Sequence, residues 1–303
     1  MKVLILGGSG MLGHKLCQSF ASRFDTQMSF RQSPAAYARF GIFDAAHMLG
    51  GVSADEFNTV AKAFAIVRPE VVVNCIGIVK QDASAKDSVS SITVNALFPH
   101  QLARLCAESR SRLIHVSTDC VFSGRRGNYD EHDTPDAEDL YGRSKLLGEV
   151  VGADCLTIRT SMIGRQLTGE QGLVEWFLSQ AGGRVRGFQR AVFSGFTTEA
   201  LAQILGSIIA DHRDLKGLYH VAADPITKFD LLSLINEAYG LRVEIEPDET
   251  FVGDRSLNGS RFRAVTNLTP PAWPEMIAAM RQDPTPYEDL RQPQMQGQKR
   301  TQC

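Results

Sequence analysis

No run of this sequence approaches the ~18 consecutive apolar residues needed to cross a bilayer, so membrane insertion is not expected. Nor is there an excess of either charge: 32 Lys and Arg stand against 34 Asp and Glu, a formal net charge of -2 that leaves no footprint for nucleic acid or an anionic surface. The six cysteines (Cys17, Cys75, Cys106, Cys120, Cys155 and Cys303) form no C-x-x-C pair and no metal-ligand spacing, so they read as reduced and no metal is expected. Met1 leads straight into an apolar strand without a basic n-region or cleavage site, which makes the cytoplasm the expected compartment. No internal repeat is found. What is present, 303 residues with 43% hydrophobic content, suffices for one main domain and a smaller lobe.

The most informative residues are Ser117-Thr118-Asp119 followed by Tyr141-Gly142-Arg143-Ser144-Lys145. If 139–151 is helical, Tyr141 and Lys145 lie one turn apart on one face. A lysine ammonium near a phenol favours the phenolate, so Lys145 is expected to pull the Tyr141 pKa down from about 10 towards the range of a working proton donor. Thr118, at the end of the apolar run from Leu113 to Val116, adds a hydroxyl aimed at the same substrate oxygen. Tyrosine and lysine fall at this spacing in many solvated helices, so the pattern gains its meaning from its partners.

The first partner is Val3-Leu4-Ile5-Leu6 running into Gly7-Gly8-Ser9-Gly10-Met11-Leu12-Gly13 and then a helical pattern through Phe20. Strand, glycine turn and helix occur in the order of a dinucleotide-binding βα unit, with the diphosphate on the free N–H groups of the helix start. Gly7, Ser9, Gly10, Met11, Leu12 and Gly13 are the expected contacts; the alternative is a tight βα turn without a ligand. About twenty residues on, Gln27-Met28-Ser29-Phe30-Arg31 carries no acid for a free ribose 2′-hydroxyl, whereas Arg31 can pair with a 2′-phosphate, so NADP(H) is expected over NAD(H). Asp44 is a candidate for the adenine edge, and Asn74 and Gly77, after the strand Val71-Val72-Val73, are candidates for the nicotinamide side, with a plain strand-to-loop turn as the alternative.

These residues resemble the extended short-chain dehydrogenases, and within them the dTDP-4-dehydrorhamnose reductase family of nucleotide-sugar ketoreductases. The likeness is carried by Gly7-x-x-Gly10-x-x-Gly13, Asn74-x-x-Gly77, Val94-Asn95, the run Ser117 to Gly124, Tyr141 to Lys145 with Gly148-Glu149, and Ile158-Arg159-Thr160. It implies that Thr118, Tyr141 and Lys145 are catalytic, that Tyr141 and Lys145 also touch the cofactor, and that the reaction is NADPH-dependent reduction of a nucleotide-linked 4-keto-6-deoxysugar for polysaccharide biosynthesis. Cys120 stands where the family often has tyrosine, a change in the pocket wall. A related dehydratase family places Asp-Glu after the threonine; Asp119-Cys120 lacks that acid, which disfavours dehydration and leaves epimerisation open. The same family includes a non-catalytic partner of methionine adenosyltransferase, so an NADP-binding regulatory subunit is the alternative from another class. A homodimer is left open.

The first half alternates strand and helix, as a Rossmann-type doubly wound parallel sheet demands. The expected division is a cofactor domain over 1–160, a substrate lobe over 161–282 with parts returning to the sheet, and a disordered tail over 283–303, where prolines and glutamines outnumber apolar residues. Ser53-x-x-Glu56 reads as a capping box, and 183–195 as irregular. In the lobe, Arg184, Arg186, Arg190, Arg255 and Arg261 are candidates to clamp a diphosphate, and Phe188, Phe193 or Trp176 to stack on a base, although solvated arginines and core aromatics are the ordinary alternatives. Asp119 is an auxiliary candidate that orients the threonine loop. His220 reads as a core histidine.

Overall fold

The computed structural model describes residues 1–81, 83–169 and 172–291. The strands are β1 (Lys2–Leu6), β2 (Asp25–Ser29), β3 (Met48–Leu49), β4 (Val71–Asn74), β5 (Arg112–Val116), β6 (Cys155–Arg159), β7 (Met162–Ile163), β8 (Arg184–Phe193), β9 (Phe196–Thr197), β10 (Gly217–His220), β11 (Ile226–Thr227) and β12 (Glu244–Asp254). The α-helices are α1 (Met11–Phe20), α2 (Pro34–Tyr37), α3 (Phe57–Val67), α4 (Ser88–Ser91), α5 (Phe98–Ser109), α6 (Leu140–Leu147), α7 (Leu173–Leu178), α8 (Thr198–Asp211), α9 (Lys228–Tyr239), α10 (Ser260–Thr266), α11 (Trp273–Arg281) and α12 (Tyr287–Arg291).

Seven strands form a parallel sheet in the order β10-β6-β5-β4-β1-β2-β3. Its strands are apolar on both sides because both faces are covered. Along β1, Val3 and Ile5 enter the core shared with α1 and α8, while Leu4 and Leu6 enter the core shared with α3 and α5. Val71 and Val73 of β4 follow the first pair and Val72 the second, the two-residue alternation of a strand. The chain is therefore α/β with a Rossmann-like sheet. The strand order reverses between β4 and β1, and ligands of such sheets sit outside the carboxyl ends at that switch point.

The second half adds a mixed three-stranded sheet, β11-β8-β12, in place of the irregular segment expected at 183–195. β8 is ten residues long and lies in the middle of that sheet, its alternate side chains packed on α9 and Trp273. Polar residues along its other face mask this in the sequence.

Two further expectations are corrected. The capping box is not formed: α3 begins at Phe57, and Ser53 Oγ turns to Asp55 while its N–H donates to Thr59 Oγ1 at 2.9 Å. The tail does not begin at Asp283: Tyr287 is 1% exposed and Asp283 pairs with Lys15 of α1, because α1 offers polar partners on its outer face. Residues 292–303, the rest of the expected tail, lie outside the described residues.

Candidate active site

The glycine turn is shaped by close approach. Gly7 has φ +87°, and a Cβ on Gly13 would stand 2.0 Å from the Gly7 carbonyl oxygen, so α1 can seat against the end of β1 only with glycine there. Gly7 N donates to Ser29 Oγ and Gly10 N to Gly7 O, at 3.2 and 3.1 Å, which closes the turn. A Cβ on Gly10 would meet no atom closer than 3.4 Å, so that side of the turn is open to a ligand. The N–H groups of Met11 and Leu12, in the first turn of α1, precede any intrahelical acceptor and form the positive end of the helix dipole.

At the end of β2, Arg31 is largely exposed, with Asp55 3.8 Å away. Asp44 lies ahead of β3, where its carboxylate caps the turn Ala45–His47 by accepting from Ala46 N at 3.0 Å. The residue that follows this strand is Gly50.

The catalytic candidates come from β5 and α6. Thr118 follows β5, and its hydroxyl donates to Asp119 Oδ1 and accepts from Cys120 N, both at 3.1 Å. α6 is capped by Asp139, which accepts from Gly142 N at 2.8 Å. It ends at Gly148, earlier than the 151 expected, because Gly148 packs on the Asn95 carbonyl, where a Cβ would come within 1.9 Å. Asn95 sits in a π-helical stretch, Ile92–Leu97, and its Nδ2 donates to the Ile78 carbonyl at 3.0 Å and to Ser144 Oγ at 3.3 Å. Asn74 and Gly77 line the opposite strand end: Asn74 pairs with His115 at 3.1 Å, and Gly77 faces Asn95 and Lys145.

Lys145 is buried and its Nζ donates to the Val116 carbonyl at 2.8 Å. Burial lowers its pKa to about 8, opposed by Glu149 and Cys75. The expectation that Lys145 lowers the Tyr141 phenol is corrected. Burial pushes Tyr141 well above its ordinary value, Cys120 adds to this, and the neighbouring Thr118 hydroxyl opposes it. The ammonium is committed to Val116, and desolvation of the phenolate outweighs everything else around the ring. Asp119, also buried, is pushed upward by desolvation against its bonds to Cys120 and Thr118 and the charge of Arg255.

A bidentate pair between Arg159 and Glu149, 2.8 Å at both contacts, ties the end of β6 to the second residue past α6; Ser117 Oγ joins it at 2.7 Å. His220 completes this buried group as a core histidine, with its rings' nitrogens near Tyr129 O at 2.9 Å and Arg159 at 3.3 Å.

A cleft of about 430 Å³ runs from Met11 at the start of α1, past Thr118, Asp119, Cys120 and Tyr141, to Phe193, Phe251 and Arg255 of the second lobe. Of the lobe candidates it takes Arg255, which also donates to the Phe122 carbonyl at 3.0 Å, and Phe193. Arg184 is corrected: it lies at the far end of β8, paired with Glu244 and Glu246. Arg261 is corrected too, bonded to the Leu218 carbonyl and laid over Tyr219. Arg186 pairs with Asp248, and Phe188 packs on Phe251 rather than facing the cleft itself. Lys228 is the residue the sequence reading missed. It is the first residue of α9, lines the cleft 6.0 Å above the Phe193 ring, and makes no hydrogen bond or ion pair among the described residues. Only its position after the capping Thr227, as the first residue of an amphipathic helix, could have signalled it. Among the described residues no metal-binding cluster occurs, and no helix is long and apolar enough to cross a membrane.

Comparison with known proteins gives the family and the fold. The family model for the RmlD substrate binding domain matches residues 1–282. The dTDP-4-dehydrorhamnose reductase of Mycolicibacterium smegmatis is 26% identical over 258 residues, 79% of this chain and 69% of that protein. That of Mycobacterium tuberculosis is 38% identical over 110 residues, 33% of this chain, so the chain spans about a third (36%) of that relative. The methionine adenosyltransferase 2 subunit beta of Danio rerio is 28% identical over 151 residues, 49% of this chain and 42% of that protein. The structure of dTDP-4-dehydrorhamnose reductase from Bacillus anthracis in complex with NADP superposes with a TM-score of 0.76 at 21% identity, covering 92% of this chain and 98% of that one. With an α1 turn shaped by glycine, Thr118 and Tyr141 at one cleft, and a family match across nearly all the described residues, the chain belongs to the RmlD substrate-binding domain family.

Proposed function

We propose that this protein is an NADPH-dependent reductase of a nucleotide-linked 4-keto-6-deoxysugar. The observation that carries the reading is the single cleft joining the open glycine turn to Thr118 and Tyr141, with Arg255 and Lys228 on its far wall. The residues fit the cofactor: the turn is open at Gly10, the first turn of α1 offers unpaired N–H groups, and Arg31 stands exposed where a 2′-phosphate would lie. Bound there, the reduced nicotinamide supplies the hydride.

This chain's own residues supply the rest. Tyr141, whose phenol is protonated at working pH, gives its proton to the substrate oxygen. Thr118 redirects its hydroxyl from Asp119 to that oxygen and stabilises the charge developing there. Lys145 exchanges the Val116 carbonyl for the cofactor ribose, from which its ammonium can act on the phenol. Arg255 and Lys228 hold the diphosphate of the nucleotide sugar, and Phe193 and Phe251 form the apolar wall beside it.

The test follows NADPH absorbance with a panel of nucleotide-linked 4-ketosugars. Turnover is expected with the nucleotide-linked form and not with the free deoxysugar. NADPH binding without turnover on any member would overturn the reductase and favour the binding subunit. An Arg31→Glu variant is expected to lose the preference for NADPH over NADH.

A further inference from the structure

The family domain ends at residue 282, yet the chain beyond it folds back onto the helix of the glycine turn. Three contacts fix it along one side of α1. Lys15 Nζ donates to Asp283 Oδ2 at 2.5 Å, Gln18 Nε2 to Thr285 Oγ1 at 2.9 Å, and His14 Nε2 lies 2.8 Å from the Tyr287 hydroxyl. The Tyr287 ring is buried with Phe40 and Leu167, under the Arg165 guanidinium at 4.6 Å, and Glu288 pairs with Arg165 at 2.9 Å.

His14 carries this contact into the turn. Its Nδ1 is 2.9 Å from the Gly10 carbonyl oxygen, which can only accept, so Nδ1 bears the proton. In the neutral ring Nε2 is then an acceptor for the Tyr287 hydroxyl. That hydroxyl also donates to Asp283 Oδ2 at 2.7 Å, so its one proton is shared between the carboxylate, which Lys15 also serves, and the His14 ring nitrogen. A hydrogen-bonded line thus runs from Tyr287 through His14 to the backbone of Gly10, the one open position of the turn. Leu290 of the same segment packs against this cluster, as do Tyr37, Ile42 and Phe43 of the excursion that follows Arg31.

We propose that 283–290 is a strap, added beyond the family domain, whose Tyr287 positions the Gly10 turn through His14 so that it is ordered before a pyridine dinucleotide arrives. Tyr287 and His14 are positioning residues, since neither lies in the cleft. A turn held in its binding conformation loses less freedom on binding, and affinity rises accordingly. The inference rests on the reading that the glycine turn takes the dinucleotide.

The test uses the full chain and two variants. Tyr287→Phe keeps the ring in its seat and removes the hydroxyl; Leu290→Ala weakens the packing and leaves the line intact. NADPH affinity by calorimetry, amide exchange at Gly10 to His14 and thermal unfolding are measured on each. Tyr287→Phe is expected to raise the NADPH Kd about fivefold, the worth of one hydrogen bond. It should also speed exchange at the turn in the free protein, with the difference vanishing at saturating NADPH and kcat unchanged there. Leu290→Ala is expected to lower the melting temperature and leave the Kd alone. Unchanged exchange and Kd in Tyr287→Phe, or a Kd that follows melting temperature in both variants, would overturn the strap. Absence of NADPH binding in the parent would instead overturn the cofactor reading, and exchange at the turn would still decide whether Tyr287 orders it.

Discussion

Lys145 Nζ donates to the backbone carbonyl of Val116 at 2.8 Å, although Tyr141 lies one turn before it on the same helix. Held there, at the last residue of β5, the ammonium is not the phenol's partner.

Tyr141→Phe keeps the ring and its packing and removes the proton donor. Cofactor binding, read by fluorescence, is expected to survive while turnover falls by roughly 10²–10⁴-fold. Full turnover in that variant would remove Tyr141 from the mechanism.

The lowered pKa of Lys145 gives a pH dependence with a definite sign. The folded protein releases this proton near pH 8, whereas the unfolded chain keeps it to the ordinary value of 10.5, so this group makes stability rise with pH between the two. Function moves the other way: above pH 8 the free protein loses the ammonium, and NADPH affinity is expected to fall. A Kd titration from pH 6.5 to about 9.5 should show the break, and Lys145→Met should abolish it.

Lys228→Met removes a cation of the cleft wall, one without an ion pair among the described residues, without touching the glycine turn. A charge-assisted contact is worth about 1.5–3 kcal/mol, so KM for the nucleotide sugar is expected to rise about 10–100-fold at unchanged NADPH affinity. Direct calorimetry with the nucleoside diphosphate separates this from an effect on turnover; equal affinity in parent and variant would take Lys228 out of the diphosphate site.

Glu149→Gln leaves the Arg159 guanidinium buried without its carboxylate. Both side chains are under 10% exposed, 5% for Arg159 and 8% for Glu149, so the loss is expected to cost about 3–5 kcal/mol in urea unfolding. Because Glu149 lies two residues past the end of α6, turnover should fall as well.

The features that the sequence by itself determined are those set by neighbours along the chain. The glycine turn is a local strand-turn-helix pattern, and the spacing of Tyr141 and Lys145 follows from helix periodicity. The alternation of buried residues in β1 and β4 follows from the strand period. The tertiary structure alone decided which charges face the cleft. Arg184 and Arg255 read alike in sequence, but they sit at opposite ends of the small sheet, where one meets Glu244 and Glu246 and the other the Phe122 carbonyl. Lys228 enters the cleft only because α9 packs on β8, and Tyr287 is buried only because α1 and residues 37–43 leave it a seat 273 positions away from His14. Such contacts depend on where the backbone carries a residue, and the sign of a pKa shift depends on how much water is removed around it. For Tyr141 that removal outweighs the lysine one turn away, which the spacing in the chain could not reveal.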